Sequence, residues 1–201
     1  MTCIAAVRDS SKPNGAIVIG SDSSSHYGNT LSDAGSQKLF FVNLPHVTML
    51  LGFAGQLAYG TALKYRVAWP DLDPGLGVSP TKDGVLRWIH GPVMDAIREG
   101  LRGAQVEQGD APEGTAIVGV AWGAGKERQT MLLHFVKDQV SEVIYPYLAI
   151  GSGEEFAVGV LSHVFDKKLK PALKPAVVDA LTASERHNAG VRGPFYVTEL
   201  K

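Results

Sequence analysis

Cysteine is nearly absent from this sequence: Cys3 is the only one. One thiol forms no intrachain disulfide, and such usage fits a reducing compartment. Net charge is nearly absent too, at −1 from 19 Lys and Arg, 20 Asp and Glu. No field of one sign surrounds the chain, so neither nucleic acid nor membrane is expected as a partner. Long apolar runs are missing as well. The longest, near Val47 to Ala54, falls far short of the roughly 20 residues that span a bilayer. Arg8 and Asp9 cut the first apolar run before it reaches signal-peptide length. A cytoplasmic protein is expected. The six histidines show no metal-ligand spacing, and neither metal nor other cofactor is expected. Gly151-Ser152-Gly153 lacks the third glycine of a dinucleotide loop, since Phe156 stands there, and Ile150 replaces the first glycine of a nucleophile elbow.

What remains is a globular chain of 201 residues, 45% hydrophobic and 19% charged. That fits one domain, 1–201, with a sizeable core. Cys3–Val7 and Ala16–Gly20 read as strands around the turn Lys12-Pro13-Asn14-Gly15. Leu39–Val42 and Val47–Phe53 form a second pair, and Gln56–Ala68 reads as a helix. A Pro, Asp and Gly-rich loop runs from Trp69 to Asp83. Leu86, Ile89, Val93, Ile97 and Leu101 carry helical spacing through Gly84–Leu101, with Pro92 expected to kink or split it. Strands follow at Thr115–Trp122, Gln129–Val136 and Val140–Ile144, then helices at Glu154–Phe165 and Lys174–His187, then a strand at Phe195–Leu200. Hairpin-linked strands alternate with helix pairs, which predicts an α+β sandwich of facing antiparallel sheets with helices outside.

The chemistry begins at Met1-Thr2. A small second residue favours removal of the initiator methionine. Thr2 would then carry a hydroxyl and a free α-amine, a nucleophile with its own base. Asp22 follows the second strand, Lys38 precedes the third, Gly55 follows the fourth, and Ser152 sits at a strand-to-helix turn. All lie at element ends, where side chains and free N–H groups converge. Each also has an ordinary reading: a plain second residue, a surface ion pair, a helix-entry glycine, and a helix N-cap with Glu155 as its capping-box partner. Strand alternation turns Cys3 to the face opposite Thr2.

In combination these residues resemble the proteasome-type N-terminal-nucleophile hydrolases, the proteasome β-subunits and the bacterial HslV peptidase. Gly28-Asn29-Thr30, the Asp22-to-Lys38 spacing, Gly52-Phe53-Ala54-Gly55 and Ala149-Ile150-Gly151-Ser152-Gly153 carry the likeness. The resemblance implies a four-layer αββα fold and threonine-type endopeptidase activity. It implies that Thr2 attacks, Lys38 and Asp22 support it, the Gly55 N–H donates to the oxyanion, and Ser152 bonds the amine or a water. Glu185 and Asn188 align where the family has Asp and Ser, a departure that keeps a non-catalytic ring subunit open. An amidase or transpeptidase with a dedicated substrate is the other alternative. Ser25, Ser36, Phe53 and Leu57 align with the specificity pocket and imply an apolar residue at P1. Homo-oligomeric rings, a protein or peptide substrate and an ATPase unfoldase partner are implied with the family. Lys167, Lys168, Lys170 and Lys174 read as a solvated basic linker or a docking face for that ATPase.

Overall fold

The computed structural model describes residues 2–27, 30–32, 38–73, 80–104, 113–137, 139–166 and 172–201, with backbone alone at 25–27 and 30–32. Met1, Ser36, Lys167, Lys168, Lys170 and the Ser25 side chain therefore lie outside the described residues.

The strands and helices run β1 (Cys3–Arg8), β2 (Ile17–Ser21), β3 (Ser25–Tyr27), β4 (Thr30–Ser32), β5 (Leu39–Asn43), β6 (Val47–Gly55) and α1 (Leu57–Tyr65). Next come α2 (Lys82–Trp88), a π-helical turn at Ile89–Val93, α3 (Met94–Arg102), β7 (Gly114–Trp122), β8 (Gln129–Val136) and β9 (Gln139–Glu142). The chain closes with β10 (Tyr147–Gly151), α4 (Glu154–Asp166), α5 (Leu173–His187) and β11 (Tyr196–Leu200). One antiparallel sheet has the order β10-β1-β2-β11, a second has β5-β6-β7-β8-β9, and β3 and β4 form a small ribbon.

Period-two alternation builds the layers. Cys3, Ala5 and Val7 of β1 pack with Leu161 of α4 and Val177 and Leu181 of α5. Ile4 and Ala6, between them, pack with Leu50, Ile117 and Leu132 of the other sheet. On β6 the alternate set, Met49, Leu51 and Phe53, meets Leu63 of α1 and Ile97 of α3. The result is the four-layer αββα sandwich expected from the element order.

The two sheets approach closely where glycine faces isoleucine. A Cβ on Gly52 would lie 2.8 Å from Ile4 Cγ2 and 2.9 Å from Leu39 Cδ2. One on Gly119 would lie 3.0 Å from Ile17 Cγ2. This spacing matters because Thr2 and Lys38 reach their positions from opposite sheets.

Three expectations are refined. The 84–101 helix neither ends nor splits at Pro92; helical backbone continues from Lys82 to Arg102 through the π-helical turn. Proline has no N–H to give, and a wider turn accommodates its ring. The first helix ends at Tyr65 rather than Ala68, where the Arg66 and Val67 N–H groups both turn to the Ala62 carbonyl, at 2.9 and 3.1 Å. The strand expected before the Ser152 turn, which had no bounds, runs Tyr147–Gly151 and pairs with β1.

Gly52→Ala should lower stability by about 1–3 kcal/mol, because a methyl there must push the sheets apart. Thermal unfolding checks this, at roughly 2–4 °C per kcal/mol for a domain of this size. An unchanged midpoint would show that the seam yields freely.

Candidate active site

Thr2 is placed by the start of β1. Cys3 pairs with Gly151 of β10, and Ile4 pairs with Ser21 of β2. Asp22, the next residue after β2, therefore sits across from Cys3. Its N–H donates to the Cys3 carbonyl at 3.2 Å. Its Oδ1 accepts the Cys3 N–H at 3.0 Å. Its Oδ2 accepts the Ser24 N–H at 3.2 Å, an Asx-type turn, and is also in contact with the Ser24 hydroxyl. Local chain geometry thus fixes the carboxylate before any catalytic partner arrives.

Lys38 enters from the other sheet, just before β5, where its carbonyl accepts the Phe53 N–H at 3.2 Å. Its Nζ lies 2.7 Å from Asp22 Oδ1 and donates to Thr2 Oγ1 at 2.8 Å. Asp22 is fully buried and Lys38 is 5% exposed, so this is no surface ion pair. Burial pushes the Lys38 ammonium below the ordinary lysine range, and the Asp22 charge and hydrogen bond oppose that fall. A cation bonded to the Thr2 hydroxyl favours the alkoxide that the hydroxyl would become on attack.

Ser152 approaches from the other side, at the turn from β10 into α4. The Thr2 nitrogen lies 3.2 Å from Ser152 Oγ, which in turn lies 3.4 Å from the Thr2 carbonyl oxygen. Gly151 has φ +94°, and a Cβ there would fall 2.3 Å from the Thr2 carbonyl oxygen. Glycine is required there for the chain to turn beside Thr2.

Gly55 ends β6 with φ +119°; a Cβ there would meet Gly114 Cα at 2.6 Å. Thr2, Ala54, Gly55, Glu113, Gly114, Thr115, Gly151 and Ser152 line a cavity of about 320 Å³. It opens at the seam between the sheets, with Thr2 in its wall.

Asn188 and Glu185 join the surroundings through neighbours of Thr2 rather than through a described contact with Thr2 itself. Asn188 Nδ2 donates to the Ser152 carbonyl at 2.6 Å, and its Oδ1 accepts the Gly190 N–H at 2.9 Å. The Glu185 carboxylate accepts the Gly193 N–H at 2.9 Å. That steadies the loop whose Arg192 carbonyl takes the Ser23 N–H at 3.0 Å. Phe53 does not line the cavity. Its ring lies against Gly60 of α1 within the helix-side core. Leu57 is 61% exposed and also stands outside it.

Cys3 points away from Thr2, as alternation requires, with Sγ 3.4 Å from Ser184 Oγ. Burial pushes its thiol up to about 11, so it stays protonated at neutral pH and offers no thiolate. Among the described residues no group of three His, Cys, Asp or Glu side chains is placed to hold a metal. No helix among them is long and apolar enough to cross a membrane.

Ser24, which bonds Asp22, and Glu113 and Thr115, which line the cavity, escaped the sequence. Ser24 had a signal, since an Asp followed two positions later by Ser is a turn pattern. Glu113 and Thr115 had none, because their place depends on β7 pairing with Gly55 across the sheet.

No protein-family model and no curated protein matches this chain. Solved structures do. The Anbu complex from Pseudomonas aeruginosa, a helical assembly, matches with TM-score 0.67 at 18% identity, over 100% of this chain and 81% of that one. Eukaryotic HslV from Trypanosoma brucei matches with TM-score 0.63 at 18% identity, over 100% and 99%. BPH from Thiobacillus denitrificans, in complex with epoxomicin, matches with TM-score 0.65 at 14% identity, over 100% and 98%. The chain has the fold these proteins share.

Asp22→Asn should move the Lys38 titration further down, since it removes the charge that opposes burial. NMR of the lysine side chain reads this directly; an upward or absent shift would refute the assigned cause. The variant should also lose about 3 kcal/mol or more of stability at neutral pH, as an unpaired buried charge does. That deficit is full below the folded-state pKa of Lys38. It shrinks as the pH rises through that lowered folded-state value, because the folded lysine is then neutral with or without the Asp22 charge.

Proposed function

We propose that this chain is a subunit of a proteasome-like, homo-oligomeric hydrolase in which Thr2, freed by loss of Met1, cleaves peptide bonds. The observation that carries it is one contact: Lys38 Nζ on Thr2 Oγ1 at 2.8 Å, backed by Asp22 at 2.7 Å in a buried setting. A lysine is costly to bury, and an ordinary second residue gives no reason to bury one against its hydroxyl.

Thr2 Oγ attacks the substrate carbonyl, and its proton passes to the Thr2 α-amine, directly or through water. An unperturbed α-amine has a pKa of about 7.7–8.0, and a neighbouring ammonium favours its neutral form. The tetrahedral oxyanion takes a hydrogen bond from the Gly55 N–H at the cavity wall. Collapse breaks the C–N bond, the amine's proton goes to the leaving nitrogen, and the acyl group stays on Thr2 as an ester. Water then attacks the ester with the α-amine as base, and Thr2 is restored. Ser152 holds the amine throughout. Electrostatic support of this kind, with each oxyanion donor worth roughly 10²–10³ in rate, accounts for the need for rigid geometry.

The comparisons support this reading at the level of fold. One neighbour was solved with epoxomicin and another as a helical assembly, which favours inhibitor-accessible chemistry and self-association here. The ATPase partner belongs to the proposal as well; of the four lysines read as its docking face, Lys167, Lys168 and Lys170 lie outside the described residues, and Lys174 pairs with Glu199 at 3.2 Å.

Intact mass should show loss of one methionine, and an epoxyketone probe should then add covalent mass at Thr2. Thr2→Ala should abolish labelling and amide hydrolysis, whereas Thr2→Ser retains both. Gly55→Ala should cut kcat by about 10²–10³-fold, because the new Cβ collides with Gly114 and displaces the donor. A trimmed protein that takes no label and cleaves neither unfolded protein nor small amides would identify a non-catalytic subunit. Cleavage of small amides alone would identify a dedicated amidase.

A further inference from the structure

The contacts around Thr2 form a closed ring. Thr2 Oγ1 meets Lys38 Nζ at 2.8 Å, and Lys38 meets Asp22 Oδ1 at 2.7 Å. Asp22 Oδ2 meets the Ser24 hydroxyl, which lies 2.6 Å from the Gly190 carbonyl oxygen. The Gly190 N–H meets Asn188 Oδ1 at 2.9 Å, Asn188 Nδ2 meets the Ser152 carbonyl at 2.6 Å, and Ser152 Oγ returns to the Thr2 nitrogen at 3.2 Å. Five of these seven residues, Thr2, Asp22, Lys38, Ser152 and Asn188, were expected at the site, and Gly190 takes part through its backbone alone. Ser24 is the link with no assigned part.

Its chemistry is specific. Asp22 Oδ1 has two donors, the Cys3 N–H and Lys38. Oδ2 has donors from Ser24 alone among the described contacts, a backbone N–H at 3.2 Å and the hydroxyl. Ser24 is 1% exposed, so water does not stand in for it. The hydroxyl has one proton and two acceptors in reach, a carboxylate and a carbonyl. It therefore couples the orientation of Asp22 to the turn after α5.

We propose that Ser24 is a positioning residue of the Thr2 centre: its hydroxyl fixes the Asp22 carboxylate that aims Lys38, and joins that arm to the Ser152 arm through Gly190. The inference rests on the hydrolase reading for its rate consequence and on geometry alone for its effect on Lys38. Without the hydroxyl, Oδ2 keeps one long backbone bond, and the carboxylate is held less firmly about its Oδ1 contacts. The pull of Asp22 on Lys38 weakens, and the ammonium drifts from Thr2 Oγ1. The other groups bearing on Lys38 are the Cys3 thiol, which burial keeps protonated at neutral pH, and the Thr2 amine freed by loss of Met1; neither changes with Ser24.

The test compares Ser24→Ala, Ser24→Cys and Ser24→Thr with the wild type, all lacking Met1, using a fluorogenic peptide and NMR titration of the Lys38 side chain. Ser24→Ala should lower kcat by roughly 10- to 100-fold, as loss of alignment does, with KM within about twofold. The alkaline limb of the rate and the Lys38 titration should both move to lower pH. Ser24→Cys, similar in size and a weak donor, should fall between, and carries the test should the alanine variant not fold. Ser24→Thr keeps the hydroxyl and should restore both readouts. A Lys38 titration unchanged in the alanine or cysteine variant overturns the proposal, as does a threonine variant as impaired as alanine. If the wild type turns over no amide, the hydrolase reading fails while the titration still decides the part of Ser24.

Discussion

The buried pair of Lys38 and Asp22 is the constraint around which this molecule is arranged. Removing two charges from water costs several kcal/mol for each ion, and their attraction offsets this only with close geometry and with the remaining lone pairs filled. Both conditions are met. The ions are 2.7 Å apart, and Asp22 takes further hydrogen bonds from Cys3 and Ser24. The two charges arrive from different sheets, Asp22 at the end of β2 and Lys38 at the start of β5. The pair therefore forms only when the sheets are packed face to face.

That dependence gives weight to the two glycines at the seam, Gly52 and Gly119. The close approach at Gly52 brings Ile4 and Leu39 to the same point, and these residues lie two and one positions from Thr2 and Lys38. A wider seam would separate the hydroxyl from the ammonium by the same amount. Hydrophobic packing between the sheets and electrostatic preorganisation at the cavity are consequently one problem, since the core sets the distance that the chemistry uses.

Much of this was legible in the residues. Apolar runs of strand length bounded by turn chemistry located β1, β2, β5, β6, β7 and β8, because each is buried on one face or both. Thr2, Asp22 and Lys38 were legible because reactive residue types stood at strand ends. β10 was harder to read: Tyr145-Pro146-Tyr147 looks like a turn, and only its pairing with β1 makes the following residues a strand. The wide turn at Pro92 was legible as a disturbance but not in form, since a proline alone does not specify how the helix absorbs it. Phe53 sits in the sequence next to Gly55, yet strand alternation sends its ring into the helix-side core. Ser24 lies in a run of three serines, 23–25, that reads as an exposed loop; its burial comes from the turn after α5, more than 160 residues away in sequence.

For the proposed hydrolase the remaining question is which group would take the proton from Thr2 Oγ1. Lys38 is in contact with it and burial lowers its proton affinity, which makes it a candidate base. An α-amine starts from a pKa about 2.5 below that of lysine, an advantage of roughly 3 kcal/mol as an acceptor near neutral pH. Burial must overcome that whole gap for Lys38 to compete, and the Asp22 charge at 2.7 Å works against it. The same ammonium that resists deprotonation drives protons off its neighbours, so keeping Lys38 charged also keeps the amine free to accept. Under the hydrolase reading Asp22 thus decides the division of labour: with it in place the lysine would act as a fixed cation and the amine as the base. A liberated Thr2 nitrogen is for that reason a chemical requirement of the hydrolase reading, and the contact between Ser152 Oγ and that nitrogen holds it where the proton must go.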